Sequence, residues 1–224
     1  VRRRNTKQRL FKFFLTAAVK VAKPRAIRVW QRRFFKARKI AEEVLRLNNA
    51  LIVYHSGTGN TEKVAHAIRK GIERTGKSVT IKTISEAQQE DFYDYDLVCF
   101  GSPVIHAMPP SAVLEFIRKN DERYREKMEV MLASPKLINK NALVFCTYAG
   151  PHCGLSEALP AGKYIRQFLE HLGFEVRDEW YELGEFNGWE NGSVAGRSGD
   201  IRGRPDEEDL LLIELKAARL AKTL

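Results

Sequence analysis

The sequence predicts an α/β domain on a doubly wound, five-stranded parallel sheet, preceded by a basic helical extension. Three observations lead there. From residue 50 onward, strand-like and helix-like segments alternate. Three of the strand segments are near-continuous apolar runs, and each of those runs is followed by a loop rich in small and hydroxylated residues. Alternation of this kind implies parallel pairing with helices on both faces. A near-continuous apolar run suits a central parallel strand, buried on both sides.

The elements follow in order. "ALIVY" (50–54) is the first buried strand. Residues 60–75 read as a helix, because Val64, Ala65, Ile68 and Ile72 share one face and Gly76 stops the run. "SVTIKTI" (78–84) alternates, as an edge or half-buried strand does. "YDLVCFGS" (95–102) is the second buried strand. Pro109 and Pro110 open a helix whose apolar face is Ala112, Val113, Phe116 and Ile117. "NALVFCTY" (141–148) is the third buried strand, followed by a helix over 155–172 that Gly173 ends. "FEVRDEWYEL" (174–183) alternates like an edge strand. Pro205 and Asp206 open a last helix over 206–222. Between these two lies a long irregular connection, residues 186–205, in a glycine-rich stretch. There Phe186 and Trp189 are placed to cover a ligand or to pin a surface excursion.

In such a sheet the ligand sits outside the carboxyl ends of the strands, at the switch in strand order. The three buried runs end in "HSGTGNT", "GSPVIHAMPP" and "TYAGPHCGL", which parallel pairing brings to one edge. The first of these leads into a helix N-terminus, where unpaired N–H groups and the helix dipole suit a phosphate. Small residues allow close backbone approach, and hydroxyls add donors. The plainer reading is a tight turn with Asn60 or Thr58 as helix cap. No Lys follows Gly59 in the P-loop manner, and no GxGxxG is present, so neither a nucleotide triphosphatase nor a dinucleotide fold is supported. Cys99, Cys146 and Cys153 have neither metal-ligand nor disulfide spacing and suit a reducing compartment.

"SGTGNT" resembles the phosphate-gripping signature of the flavodoxin family. "GSPV" and "TYAGPHCG" resemble the two flavodoxin loops that enclose the flavin ring. The resemblance covers roughly residues 50–222. It implies strand order 2-1-3-4-5, bound FMN, and electron transfer through the flavin. It further implies that Ser56, Thr58 and Thr61 bond the phosphate by side chain, while Gly57, Gly59 and Asn60 offer backbone N–H groups. Ser102, Pro103, Val104, Ile105 and His106 would line one side of the ring. Thr147, Tyr148, Ala149, Gly150, His152, Cys153 and Gly154 would line the other. Neither ring loop contains a Trp; the aromatic residues there are Tyr148, His106 and His152.

Charge divides the chain. Residues 1–48 hold 16 of its 38 Lys/Arg and two of its 28 Asp/Glu, about +14, which leaves residues 49–224 mildly acidic. Within this arm, Leu10, Phe13, Phe14, Ala17 and Val21 form one stripe. Ile27, Trp30, Phe34, Ala37, Ala41 and Val44 form a second at spacings of 3, 4, 3, 4 and 3. Cationic amphipathic helices of this type suit three settings: packing on the chain's own domain or a homo-oligomer, an anionic membrane surface or membrane-protein partner, and nucleic acid. The last is the weakest, since nothing marks groove reading. No apolar stretch approaches the ~18–20 residues needed to span a bilayer. The resulting expectation is an FMN-dependent redox protein passing electrons between partner proteins. It would be cytoplasmic or peripheral at the inner face of the membrane, and localised or assembled by its arm. The alternative is an NAD(P)H-dependent flavin or quinone reductase on the same fold.

Overall fold

The computed structural model describes residues 49–127 and 129–224, so the two amphipathic stripes expected in residues 1–48 lie outside the described residues. The elements are β1 (Asn49–Tyr54), α1 (Asn60–Glu73), β2 (Ser78–Thr83), β3 (Leu97–Pro103), α2 (Ser111–Glu126), β4 (Asn141–Tyr148), α3 (Leu159–His171), β5 (Glu175–Leu183), α4 (Glu190–Val194) and α5 (Glu207–Thr223). The five strands form one parallel sheet in the order β2-β1-β3-β4-β5. That is the expected fold. Among the described residues no helix is long and apolar enough to cross a membrane.

Alternation along the central strands explains why helices cover both faces. Leu51, Val53, Val98, Phe100, Val144 and Cys146 point to one side, where α2 contributes Val113, Phe116 and Ile117 and α3 contributes Ile165, Phe168 and Leu169. Ala50, Ile52, Leu97, Cys99, Leu143 and Phe145 point to the other, against Val64, Ala65, Ile68 and Ile72 of α1 and Ile213, Ala217 and Ala221 of α5. Burial removes apolar surface on both sides of β1, β3 and β4, at roughly 25 cal/mol per Å². The edge strands β2 and β5 remain half-exposed, which is why they alternate in sequence.

Two expectations change. The helix expected over 155–172 is instead a 3-10 turn at Gly154–Glu157 followed by α3, which carries a proline in its first turn. Proline lacks an N–H and clashes inside a helix, so Pro160 fixes where the α-helix can begin. The connection 186–205 is not wholly irregular, because α4 and a short bridge between Gly196 and Gly199 lie within it. The last helix starts as expected: Asp206 and Asp209 exchange side-chain-to-backbone bonds of 2.9 and 3.0 Å in a capping box.

Helices α1 and α5 meet at Gly71. A Cβ on that residue would lie 2.2 Å from the Glu214 carbonyl oxygen and 2.7 Å from Ala217 Cβ. In an exposed helix Gly→Ala gains roughly 0.8–1 kcal/mol. Here overpacking costs more, roughly 1–3 kcal/mol. Gly71→Ala should therefore lower stability in urea unfolding; a stabilised variant would show that α1 and α5 do not approach this closely.

Candidate functional site

Register brings the three loops together. Tyr54 pairs with Gly101, and Gly101 with Phe145, so the central strands end abreast. Beyond them the loops are cross-linked: His55 N donates to Gly101 O at 3.1 Å, and Val104 N donates to Thr147 O at 2.9 Å.

The first loop turns at Gly59, whose φ of 93° is the left-handed region that favours glycine. Gly59 is also the residue that precedes α1, and no side chain caps the helix there. Neither Asn60 nor Thr58 takes the capping role that the plainer reading offered them. Instead Ser56 Oγ accepts from Gly59 N at 3.1 Å, which folds the loop back on itself. The first-turn N–H groups of any helix lack intrahelical acceptors, and here the space beside Gly57 and Gly59 is open. Thr58 is exposed, whereas Asn60 and Thr61 are buried. Both buried residues brace the loop. Thr61 Oγ1 shares a 2.7 Å bond with Thr147 Oγ1 of β4. Asn60 Nδ2 donates to Glu185 O beyond β5 at 3.1 Å, and Gly184 leaves room for it. No Lys or Arg stands in residues 55–62. Burial lowers the His55 imidazole's pKa below its usual value, so it is neutral at pH 7. What residues 55–61 offer to an anion is therefore N–H groups and hydroxyls, without a cationic side chain.

The second loop is a tight hairpin. Ile105 and Met108 exchange backbone bonds of 2.9 and 3.0 Å around His106 and Ala107, whose φ values are 49° and 62°. Two successive positive φ angles belong to a type I′ turn, which normally takes Asn-Gly. With His and Ala it stores strain, roughly 1–2 kcal/mol per residue. Ser102 is buried, and its hydroxyl donates to Pro103 O at 2.8 Å, while Ile105 and His106 are exposed at the tip.

The third loop curls between two left-handed glycines, Gly150 and Gly154, closed by a 2.9 Å bond from Gly154 N to Gly150 O. Glu157 Oε1 accepts from His152 N at 2.8 Å and from Cys153 N. His152 and the free thiol of Cys153 are exposed; Thr147 is buried and Tyr148 and Ala149 are partly so. Burial and the nearby Glu182 carboxylate raise the Tyr148 pKa, so its phenol is protonated at neutral pH.

A fourth segment, 184–204, closes the side of the site. It is tied to the first loop through Glu185 and Asn60, and to the third by Arg197 N donating to Pro151 O at 2.9 Å. Trp189 stands 6.2 Å from the His152 ring and 5.2 Å from Phe186. It is seated over Gly192, where a Cβ would lie 2.4 Å from the indole. The sequence reading singled out Phe186 and Trp189 but missed Glu157, Glu185 and Arg197. Their contacts are made through a backbone bond or a carboxylate on a neighbouring turn, which leaves no mark in residue spacing.

The arrangement is an uncapped helix start, two flanking loops and an aromatic side wall. Comparisons with known proteins point to one family. The model of the "Flavodoxin domain" matches residues 51–173. The flavodoxin of Clostridium beijerinckii is 44% identical over 121 residues, 54% of this chain and 73% of that protein. An NAD(P)H dehydrogenase (quinone) of Archaeoglobus fulgidus is 25% identical over 200 residues, 77% of this chain and 95% of that protein. Oxidised Flavodoxin 2 from Bacillus cereus shares the fold at a TM-score of 0.54 and 19% identity, over 79% of this chain and 99% of its own. The flavodoxin, WrbA-like protein from Agrobacterium tumefaciens does so at 0.52 and 19%, over 79% of this chain and 96% of its own. With its sheet order, its loop convergence and a family match over more than half its length, the chain belongs to the flavodoxin domain family.

Proposed function

We propose that the protein binds FMN at the carboxyl edge of the sheet and passes electrons between partner redox proteins. The observation that carries this is the start of α1: no side chain caps it, Gly57 and Gly59 leave open space beside it, and the Thr61–Thr147 bond fixes it to β4. Bound there, FMN supplies one- and two-electron redox chemistry. The chain's own part is to hold and enclose it. The hydroxyls of Ser56, Thr58 and Thr61 and the N–H groups of Gly57 and Asn60 receive the phosphate, while the Gly59 N–H is held by Ser56 Oγ and must leave it to take part. The loops 102–106 and 147–154 flank the ring and exclude water from it. Residues 49–224 make up the redox domain, and the basic arm, residues 1–48, localises or assembles it.

A second reading, an NAD(P)H-dependent flavin or quinone reductase, is favoured by one observation. Trp189, Phe186 and His152 form a half-exposed aromatic wall beside the site, which a carrier exchanging electrons at a bare ring edge does not need. Adding NAD(P)H anaerobically to purified protein separates the two. A carrier stays yellow until a reductase is supplied, whereas a reductase bleaches at once.

Two further outcomes are expected. Purified protein should release FMN and no FAD on denaturation; recovery of FAD, or failure to bind flavin on reconstitution, would overturn the assignment. Thr58→Ala removes an exposed hydroxyl from the phosphate loop without disturbing the core. A bond to a charged group is worth roughly 1.5–3 kcal/mol, so FMN titrations should show affinity lowered by roughly tenfold or more. Unchanged affinity would remove Thr58 from the site.

A further inference from the structure

Helix α5 carries three leucines on its solvent side. Its inward side is Ile213, Ala217 and Ala221, packed against the sheet and α1. Residues on a helix advance by about 100° each, so the pole opposite Ala217 is made of Glu208, Leu211, Leu212, Leu215, Arg219 and Lys222. There Leu211, Leu212 and Leu215 are 50%, 54% and 50% exposed. A surface helix normally turns charged and polar residues to that side. Single apolar side chains on a surface are ordinary. Three adjoining ones on the outer pole of one helix mark a contact face.

The charges around the leucines are ordered. Glu208 stands seven residues before Leu215 and Lys222 seven residues after it, with Arg219 on the Lys222 side. Acids at a helix start and bases at its end also suit the helix dipole. Three other charges of α5, however, find partners within the domain: Asp209 pairs with Arg204, Glu214 with Arg74, and Lys216 with Glu182 at 2.9 Å. Glu208, Arg219 and Lys222 are exposed and form no ion pair among the described residues.

We propose that α5 pairs with α5 of a second copy of the chain, antiparallel, about a two-fold axis at Leu215. Reversing the helix about that residue sets Glu208 opposite the partner's Lys222, twice by symmetry, and Leu215 against its own counterpart. Leu211 and Leu212 then face the partner's Arg219 and Ala218, where the Arg219 stem covers them while its head stays in water. The helix is thereby its own complement in charge and in apolar content, as a two-fold interface requires. A parallel pairing would set Glu208 against Glu208 and Lys222 against Lys222. A lipid surface or an unrelated partner would not call for acid and base at equal distances from the apolar centre. The pairing needs no flavin, so its test stands apart from the reading of the carboxyl edge.

The test is sedimentation velocity on the full chain over a range of micromolar concentrations, where a reversible monomer–dimer equilibrium is expected. Leu211→Gln/Leu215→Gln keeps helix propensity and should raise the dissociation constant by roughly a hundredfold or more, since four aliphatic side chains leave each dimer interface. Thermal unfolding of the dilute monomer and flavin content should match the wild type. Glu208→Lys and Lys222→Glu each place like charges opposite one another, and each should weaken dimerisation by roughly fivefold or more at low salt. An equimolar mixture of the two should associate as the wild type does, because every like-charged pair becomes an opposite pair. That mixture carries the test if the Gln variant fails to fold. A wild type that stays monomeric, a dimer that the Gln variant leaves intact, or a mixture that associates no better than either charge variant alone would each overturn the proposal.

Discussion

The site exists because three strands are buried on both faces. β1, β3 and β4 present apolar side chains alternately to the two helical layers, with no solvated side to tolerate a shift in register. A slip of one residue would exchange the two sets of side chains between layers of different shape. That constraint sets Tyr54 beside Gly101 and Gly101 beside Phe145, and so fixes the relative height of the three loops. At Gly101 a Cβ would lie 2.1 Å from the Phe145 ring, so even one methyl group on that row would force the strands to rearrange. The loops inherit their positions from that core, against which Val104 of the second loop also packs.

On that foundation the loops are shaped by backbone conformation more than by side-chain charge. Left-handed residues stand at Gly59, His106, Ala107, Gly150 and Gly154. In the first and third loops glycine takes them at little cost. In the second they fall on His and Ala, so strain is concentrated in that hairpin. The bracing bonds run between loops: Thr61 to Thr147, Asn60 to Glu185, Arg197 to Pro151. The first joins the start of α1 to β4, and the other two join separate loops.

Much of this was legible before any coordinates. Parallel pairing followed from alternation, the strand order from the flavodoxin resemblance, and the convergence of three similar loops from their places after three apolar runs. Apolar spacing placed the helix after β1, and proline at 109–110 marked the start of α2 at Ser111. What escaped has particular causes. Pro160 sits where helical periodicity looks continuous, and its missing N–H moves the α-helix start to Leu159. α4 spans Glu190–Val194, too few residues to establish a period. Glu157 reads as an ordinary helical acid until the chain curls back and sets two backbone N–H groups on it. The location of Trp189 beside His152 depends on a glycine 3 residues further on, Gly192, which in the sequence is one of six in a loop.

The central claim is that the β1–α1 loop grips a phosphate while the other two loops hold a planar ring. The most direct measurement compares the affinity of the flavin-free protein for FMN with that for riboflavin, which is the same ring without the phosphate. Several hydrogen bonds to a charged group, each worth roughly 1.5–3 kcal/mol, predict that FMN binds on the order of a hundredfold tighter or more. Equal affinities would show that the loop after β1 contributes nothing to phosphate binding and would contradict the account.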